Sequence, residues 1–483
     1  MLCSMKEPTI PPGRTASPMS VAPRTRLTAL IVACALFMQN LDSTVISTAL
    51  PTMARAFGEE PTHMNVALTS YMLSLAVFIP CSGWLADRFG TRTIFRAAIL
   101  VFTLGSMLCG AADSLPFLVI SRVLQGFGGA MMVPVGRLVL LRTVPKSELV
   151  AAMAWLSTPA LLGPVLGPPL GGFIVTYFSW RLIFYINIPF GLLGIVLVTL
   201  FVSDVRESTG AKFDWRGFAI SGVALASMMF GLETIGRGVV PREMSLAFLA
   251  VGLVGGALYV LHTRLVPRPI IDLSLLRIPT FAVAVIAGTF FRVGIGAIPF
   301  LLPMMLQLTF GRSPAQSGMI TFASSLGALF MKPAATAALR RLGFRDTLVW
   351  NAVLSSFLLA LIAFFRPGWP IFLIYAVLIS GGFFRSLQFT AYNALAYADV
   401  PRERMSAATG FYAAMQQISQ TLGVSAAAAS LTVTMMLAGH TEPMMSDFSI
   451  AFIVVSCVSI CACPLAMRMP PAAATELSGH RGT

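Results

Sequence analysis

Long apolar runs alternate with short polar breaks along the chain, at intervals suited to helices that cross a bilayer. A crossing helix takes about 20 predominantly apolar residues. Runs of that kind are read at 27–49, 64–86, 94–112, 115–141, 149–177, 182–202, 216–234, 244–263, 280–307, 314–338, 345–365, 370–397, 404–437 and 447–468. The pattern predicts an all-α membrane protein of about fourteen transmembrane helices. A membrane β-barrel is excluded, because it shows short alternating segments rather than continuous apolar runs. The half that begins at 280 weakly repeats the half that begins at 27. Leu339-Arg340-Arg341-Leu342-Gly343-Phe344-Arg345 follows the second run of its half, as a charged segment does in the first half. The repeat predicts two pseudo-symmetric six-helix bundles, 27–203 and 280–469, with substrate bound between them. Residues 204–279 read as a linker carrying the inserted helices 216–234 and 244–263.

Composition strengthens this picture. The 483 residues are 57% hydrophobic and 11% charged, with a mean hydropathy of +0.83. A soluble domain carries about 25% charged residues. The solvent of this chain is therefore a lipid bilayer. Its net charge of +14 does not point to nucleic acid, because the basic residues recur in short loops and form no stripe with interleaved aromatics. With the N-terminus placed in the cytoplasm, most of the 33 Lys and Arg fall in cytoplasmic segments. Only Arg55, Arg181, Arg237, Arg242, Arg312 and Arg366 fall in outer ones. That bias is the positive-inside signal and also puts the C-terminus inside. Residues 1–26, rich in Pro, Ser and Arg, and residues 470–483 are expected to be disordered cytoplasmic tails. The run from Leu27 is too long for a cleaved signal and is expected to stay as a span.

The seven cysteines lie mostly in apolar runs, where Cys behaves as a small hydrophobe. Neither disulfide nor metal site is expected, and no cofactor. No phosphate-binding Walker loop appears, so ATP is not the evident energy source. Four histidines without a Ser/His or metal constellation argue against an enzyme.

The segment from Cys81 to Arg96 carries the most information. An apolar run stops at Gly83, and then Asp87, Arg88, Gly90, Arg92 and Arg96 follow. Glycine permits a sharp turn, and Asp87 can hold a neighbouring helix end or a returning Arg. An ordinary positive-inside loop is the alternative. Asp42, in Gln39-Asn40-Leu41-Asp42-Ser43-Thr44-Val45, is the acid placed firmly inside a span. An intramembrane carboxylate is a functional candidate by default. Burial favours its neutral form and a nearby cation its charged form, a competition suited to taking and releasing protons. Arg122 is predicted at a similar depth from the same end, by helix rise. The two can face each other, as a protonation switch or as a permanent salt bridge. Gly163-Pro164-Val165-Leu166-Gly167-Pro168-Pro169-Leu170-Gly171-Gly172 is expected to break the fifth span, as a hinge or a tight interface. Arg292, Lys332 and Arg385 lie in spans of the second half with no evident acidic partner. Arg292 and Arg385 should then face a water-filled cavity or an anion. Lys332 and Arg137, near inner ends, are expected to snorkel, and Glu233 lies by the outer end of the seventh span. Gln39, Asn40, Gln125, Gln307, Gln388 and Asn393 complete the candidate substrate-binding residues with Arg292 and Arg385.

Several of these stretches resemble one transporter family. The Cys81–Arg96 segment looks like the signature loop between helices two and three of the major facilitator superfamily. Leu41-Asp42-Ser43-Thr44-Val45 with Ala49-Leu50-Pro51, the stretch Arg122 to Gly129 and the Gly-Pro motif resemble its fourteen-helix drug:proton antiporters, the EmrB/QacA type. Ser82 to Asp87, Gly128 to Leu138 and Ile186-Asn187-Ile188-Pro189 resemble the bacterial MdtD/HsrA branch. The resemblance implies a proton-driven exporter of small molecules in the cytoplasmic membrane. It carries over Asp42 and Arg122 as coupling residues, and Gly83, Asp87, Arg88, Gly90 and Arg92 as a conformational latch. The span 404–437 lacks the late acidic residue of some cation exporters, which weighs against bulky dications. Arg292 and Arg385 favour anionic compounds such as metal–citrate chelates or siderophore-like molecules. A proton-coupled importer or uniporter on the same fold and a non-transporting receptor are the rival readings. A monomer is the expected state.

Overall fold

The computed structural model describes residues 23–59, 64–145, 148–206, 212–234, 240–267, 269–440, 442–470 and 473–478. The described chain is helical nearly throughout, as a backbone in lipid must be to satisfy its own N–H and C=O groups. In order the helices are α1 (Pro23–Phe57), α2 (Asn65–Phe78), α3 (Ser82–Phe89), α4 (Thr91–Gly110), α5 (Leu115–Thr143), α6 (Leu149–Tyr177), α7 (Leu182–Tyr185), α8 (Asn187–Phe201), α9 (Trp215–Thr234), α10 (Arg242–Leu265), α11 (Pro279–Leu308), α12 (Pro314–Leu361), α13 (Ile371–Leu395), α14 (Met405–Ala438), α15 (Met445–Ile460), α16 (Ala462–Met467) and α17 (Thr475–Ser478). Among the described residues, 12 helical stretches are long and apolar enough to cross a membrane. The two predicted runs outside that set, 149–177 and 314–338, are helical as well, in α6 and the first part of α12.

Helix interruptions follow local chemistry. Pro80 lacks a backbone donor, and the predicted second span divides there into α2, a 3₁₀ turn at Ile79–Cys81, and α3. Gly90 turns the chain from α3 into α4 with φ 91°. The second half does the same inside α12, where Gly343 has φ 72° and ψ 176°. Only glycine adopts such a backbone without strain, so the repeated charged segment holds a matching turn in each half. Two terminal expectations change. Helix α1 already begins at Pro23, inside the stretch read as a disordered tail; residues 1–22 lie outside the described residues. Toward the C-terminus, Ala474 and Leu477 are buried in the core and α17 rests on α6 and α12, because this short amphipathic segment finds an apolar seat.

In the first half, α1 lies against α6 and α8, while α5 takes α2 on one side and α4 on the other. In the second half, α12 lies on α13, and α11 lies on α14 and α15. Small residues make these approaches possible. A Cβ on Gly128 would stand 2.5 Å from the Phe102 backbone, and one on Gly296 would stand 2.7 Å from the Gln420 carbonyl. The inserted helices attach through α9, which touches α2 and α14; α10 rests mainly on α9.

The apolar core is shared at one end only. At the end that carries the Asp87 segment, called the charged end below, one continuous cluster takes Phe95, Met132 and Leu138 from the first half and Phe281, Phe344 and Tyr412 from the second. At the opposite end each half keeps its own cluster. Val45, Met53 and Phe184 belong to one, and Leu302, Phe365 and Phe452 to the other. The halves are thus fused where the arginine-rich loops are and separately cored at the far end.

Candidate functional site

Four helices converge on Asp42 of α1, which is 3% exposed. Its Oδ2 accepts from Arg122 Nη1 of α5 at 2.6 Å. Its Oδ1 accepts from Gln125 Nε2 at 2.8 Å and from Asn187 Nδ2 of α8 at 3.0 Å. The amide of Asn187 donates also to Ser106 Oγ of α4 at 2.9 Å, and that hydroxyl donates to the Phe184 carbonyl at 2.9 Å. Arg122 is fully buried. It donates further to Gln125 Oε1 at 2.6 Å and to the Ala67 carbonyl at 3.2 Å, and its guanidinium lies 4.2 Å from the centre of the Tyr71 ring. Gly105 lets α4 reach this depth, since a Cβ there would stand 2.7 Å from the Gln125 backbone.

Every group around the carboxylate is a donor, which is what an ionised acid requires. A proton on Asp42 would meet donors on both oxygens and remove the counter-charge of a buried cation. Breaking one side of a buried pair is strongly unfavourable. Protonation would therefore leave Arg122 with only the neutral acceptors Gln125 and Ala67. Sequence reasoning placed Asp42 and Arg122 at one depth, and the structure joins them.

A second polar contact joins the two halves at the charged end. Asp87 at the end of α3 accepts from Arg142 Nη2 at 2.6 Å, and its other oxygen accepts from Ser406 Oγ at the start of α14. A Cβ on Gly83 would stand 2.5 Å from the Ser406 carbonyl, so only glycine lets α3 and α14 touch. This contact joins the two halves. Gly90 supplies the turn and faces the Asp204 side chain. Arg88 is exposed and Arg92 half-buried, and neither joins the Asp87 contact.

The Gly-Pro stretch does not break its span and takes the second of its two expected forms, a tight interface. Helix α6 is unbroken from Leu149 to Tyr177, because freed backbone groups in a membrane helix are re-satisfied by neighbours. Its glycines instead form a contact face. Cβ atoms on Gly163 and Gly167 would run into Asn40 and Thr44 of α1, and Thr44 Oγ1 donates to the Gly163 carbonyl at 3.5 Å. Gly171 is buried and Gly172 half-buried; the side chains of Pro164 and Pro168 lie outside the described residues.

The second-half candidates scatter. Arg292 of α11 donates to Tyr412 Oη at 3.2 Å, and Arg385 of α13 donates to Ser324 Oγ of α12. Among the described residues no hydrogen bond or ion pair joins the two arginines, and neither meets a carboxylate. Gln388 is tied to Leu348 and Asn351, and Asn393 to Gln416. Gln307 is exposed at the far end of α11. Gln39 and Asn40 are half-buried beside Asp42, and Asn40 Nδ2 donates to its own helix at the Leu36 carbonyl. Arg137 does not snorkel. It is 6% exposed, because α14 covers the end of α5 and leaves no path to water, and its guanidinium lies 5.7 Å from the Tyr412 ring centre. The side chains of Lys332 and Glu233 lie outside the described residues.

The sequence profile of the Major Facilitator Superfamily matches residues 32–424 and 284–482. The chain belongs to the major facilitator superfamily. It is 40% identical over 397 residues to the provisionally named multidrug resistance protein MdtD of Pectobacterium atrosepticum, covering 82% of this chain and 85% of that one. To the MdtD protein of Escherichia coli O9:H4 (strain HS) it is 40% identical over 406 residues, covering 83% and 85%. Among solved structures it resembles the human organic anion transporter MFSD10 (TM-score 0.65, 14% identity, 92% of this chain and 100% of that one). It also resembles the proton:xylose symporter XylE (TM-score 0.63, 14% identity, 91% and 94%). These last two likenesses concern the fold. As a major facilitator protein the chain is a multi-pass membrane transporter of small molecules.

Sequence reasoning missed part of this transporter's polar machinery. Asn187 and Ser106 hold Asp42 but carry no charge, and a lone amide in an apolar run gives no signal of its depth or partner. Arg142 and Ser406 complete the Asp87 contact from helices distant in sequence.

Proposed function

We propose that this transporter exports small organic compounds, drugs among them, in exchange for protons by alternating access. It would sit in a bacterial cytoplasmic membrane with both termini in the cytoplasm and fourteen spans, as two six-helix bundles, 27–203 and 280–469, joined by 204–279. The observation that carries this reading is the Asp42 carboxylate, buried at the centre of three donors that its protonation would disrupt. The multidrug resistance relatives support export and drug-like cargo. The shared core at the charged end and the separate cores beyond it support a state closed to the cytoplasm and open outward. In that state an outer proton reaches Asp42 and frees Arg122. Closure of the outer end then opens the Asp87–Ser406 contact and presents the cavity to cargo inside. The test is uptake of ethidium by everted vesicles during respiration. Uptake that a protonophore collapses is expected; uptake indifferent to the protonophore would contradict proton coupling.

A second reading, export of anionic compounds, is favoured by Arg385, which is 7% exposed and whose Nη1 makes no hydrogen bond. A lost charge-assisted bond is worth roughly 1.5–3 kcal/mol. Arg385→Ala would then weaken transport of the carboxylate probe fluorescein about tenfold or more and spare ethidium. Equal effects on both probes would make Arg385 structural.

A further inference from the structure

Tyr412 of α14 lies near two buried guanidiniums, one from each half. Arg292 of α11 lies 5.2 Å from its ring centre and Arg137 of α5 lies 5.7 Å from it. They are 2% and 6% exposed. Arg292 curls back along its own helix, where a Cβ on Gly288 would stand 2.9 Å from its Nη1. Only that Nη1 has an acceptor, the Tyr412 hydroxyl. Nε and Nη2 of Arg292, and Nε and Nη1 of Arg137, make no hydrogen bond. Tyr397 meets the Tyr412 ring edge-on at 5.7 Å, and its hydroxyl faces Arg137. Among the described residues no carboxylate pairs with either arginine.

Two like charges from opposite halves thus lie beside one tyrosine at the closed end of the transporter. A buried cation requires a counter-charge or an acceptor for its donors. The Tyr412 ring beside them supplies a little of the first, and its hydroxyl accepts from Arg292 Nη1 alone. Helix α14 also supplies Ser406 to the Asp87 contact and α5 supplies Arg142 to it, so whatever neutralises this pair also favours closure of that end.

We propose that Arg137 and Arg292 form a binding site for a small anion, a halide or a carboxylate group, that bridges the two halves at Tyr412 and stabilises the state closed at the charged end. The anion accepts the unpartnered guanidinium donors from both sides and cancels their repulsion. The site differs from the Asp42 network and from Arg385, and it needs no assumption about the exported compound.

The experiment uses the purified full-length protein in nanodiscs, melted in a low-salt buffer with added sodium chloride or sodium acetate. A ligand of the folded state raises the melting temperature with concentration, here by roughly 2–4 °C near saturation. The rise should vanish in Arg137→Gln and in Arg292→Gln. It should persist in Arg312→Gln, which changes an exposed arginine at the opposite end. Hydrogen exchange on the unaltered protein removes dependence on variant folding. Amides of 82–89 and 402–412 should exchange several-fold more slowly with the anion. A response to chloride marks an inorganic-ion site, and a response to acetate alone a carboxylate subsite; either supports the proposal. No response to both anions, or an equal response in Arg137→Gln and Arg292→Gln, would overturn it.

Discussion

The Asp42 network of the first half pairs its buried charges in a near-closed circle, and Arg292 and Arg385 of the second half have no charged partner among the described residues. Asp42, Arg122, Gln125, Asn187 and Ser106 are linked across four helices, and donors meet both oxygens of the carboxylate, although Arg122 Nη2 and Asn187 Oδ1 have no partner. Arg292 and Arg385 hold one neutral partner each and leave guanidinium donors unused. A closed circle stores a protonation state and releases it only by rearranging. An open set waits for a partner from elsewhere, whether the other half, an ion or a cargo molecule. The contrast suggests a division of labour in which proton handling belongs to the first half and recognition of charge to the second.

The comparison can be broken by substitution. Arg122→Leu should have the largest effect, since it strands a buried carboxylate. A loss of roughly 3–5 kcal/mol is expected from thermal or denaturant unfolding in detergent. A loss under about 1 kcal/mol would mean that water already reaches Asp42. Asp87→Asn comes next. It weakens the contact to Arg142 and Ser406 by about 1.5–3 kcal/mol, so labels on α3 and α14 should show a larger fraction open at the charged end and a slower transport cycle. Unchanged populations would remove the latch role. Asn187→Ala removes one of two amides on Oδ1, and about 1 kcal/mol of stability with it; a several-fold change in the proton dependence of transport should accompany the loss. Arg385→Met should cost least and could even stabilise, because a buried cation with one neutral partner is replaced by a well-fitting apolar chain. If Arg385→Met and Arg122→Leu proved equally costly, the distinction between closed and open charge would fail.

Much of this was legible in the sequence, for identifiable reasons. Helix rise is uniform, so residue counting alone put Asp42 and Arg122 level. Glycine beside charge marks a forced turn, and Gly90 and Gly343 both take one. What stayed hidden depended on which neighbour covers a helix end or flank. Arg137 reads as a snorkelling residue until α14 lies over it. The Gly-Pro stretch reads as a break until α1 fills its face. Asn187 and Ser406 are ordinary polar residues until three-dimensional contact gives them Asp42 and Asp87 as partners.

The account turns on Asp42 as the proton-carrying group, and Asp42→Asn in proteoliposomes tests it most directly. The amide keeps the shape of the side chain but cannot exchange a proton, so ethidium-for-ethidium exchange should survive while accumulation driven by a proton gradient disappears. Gradient-driven accumulation at the rate of the unaltered protein would contradict the account.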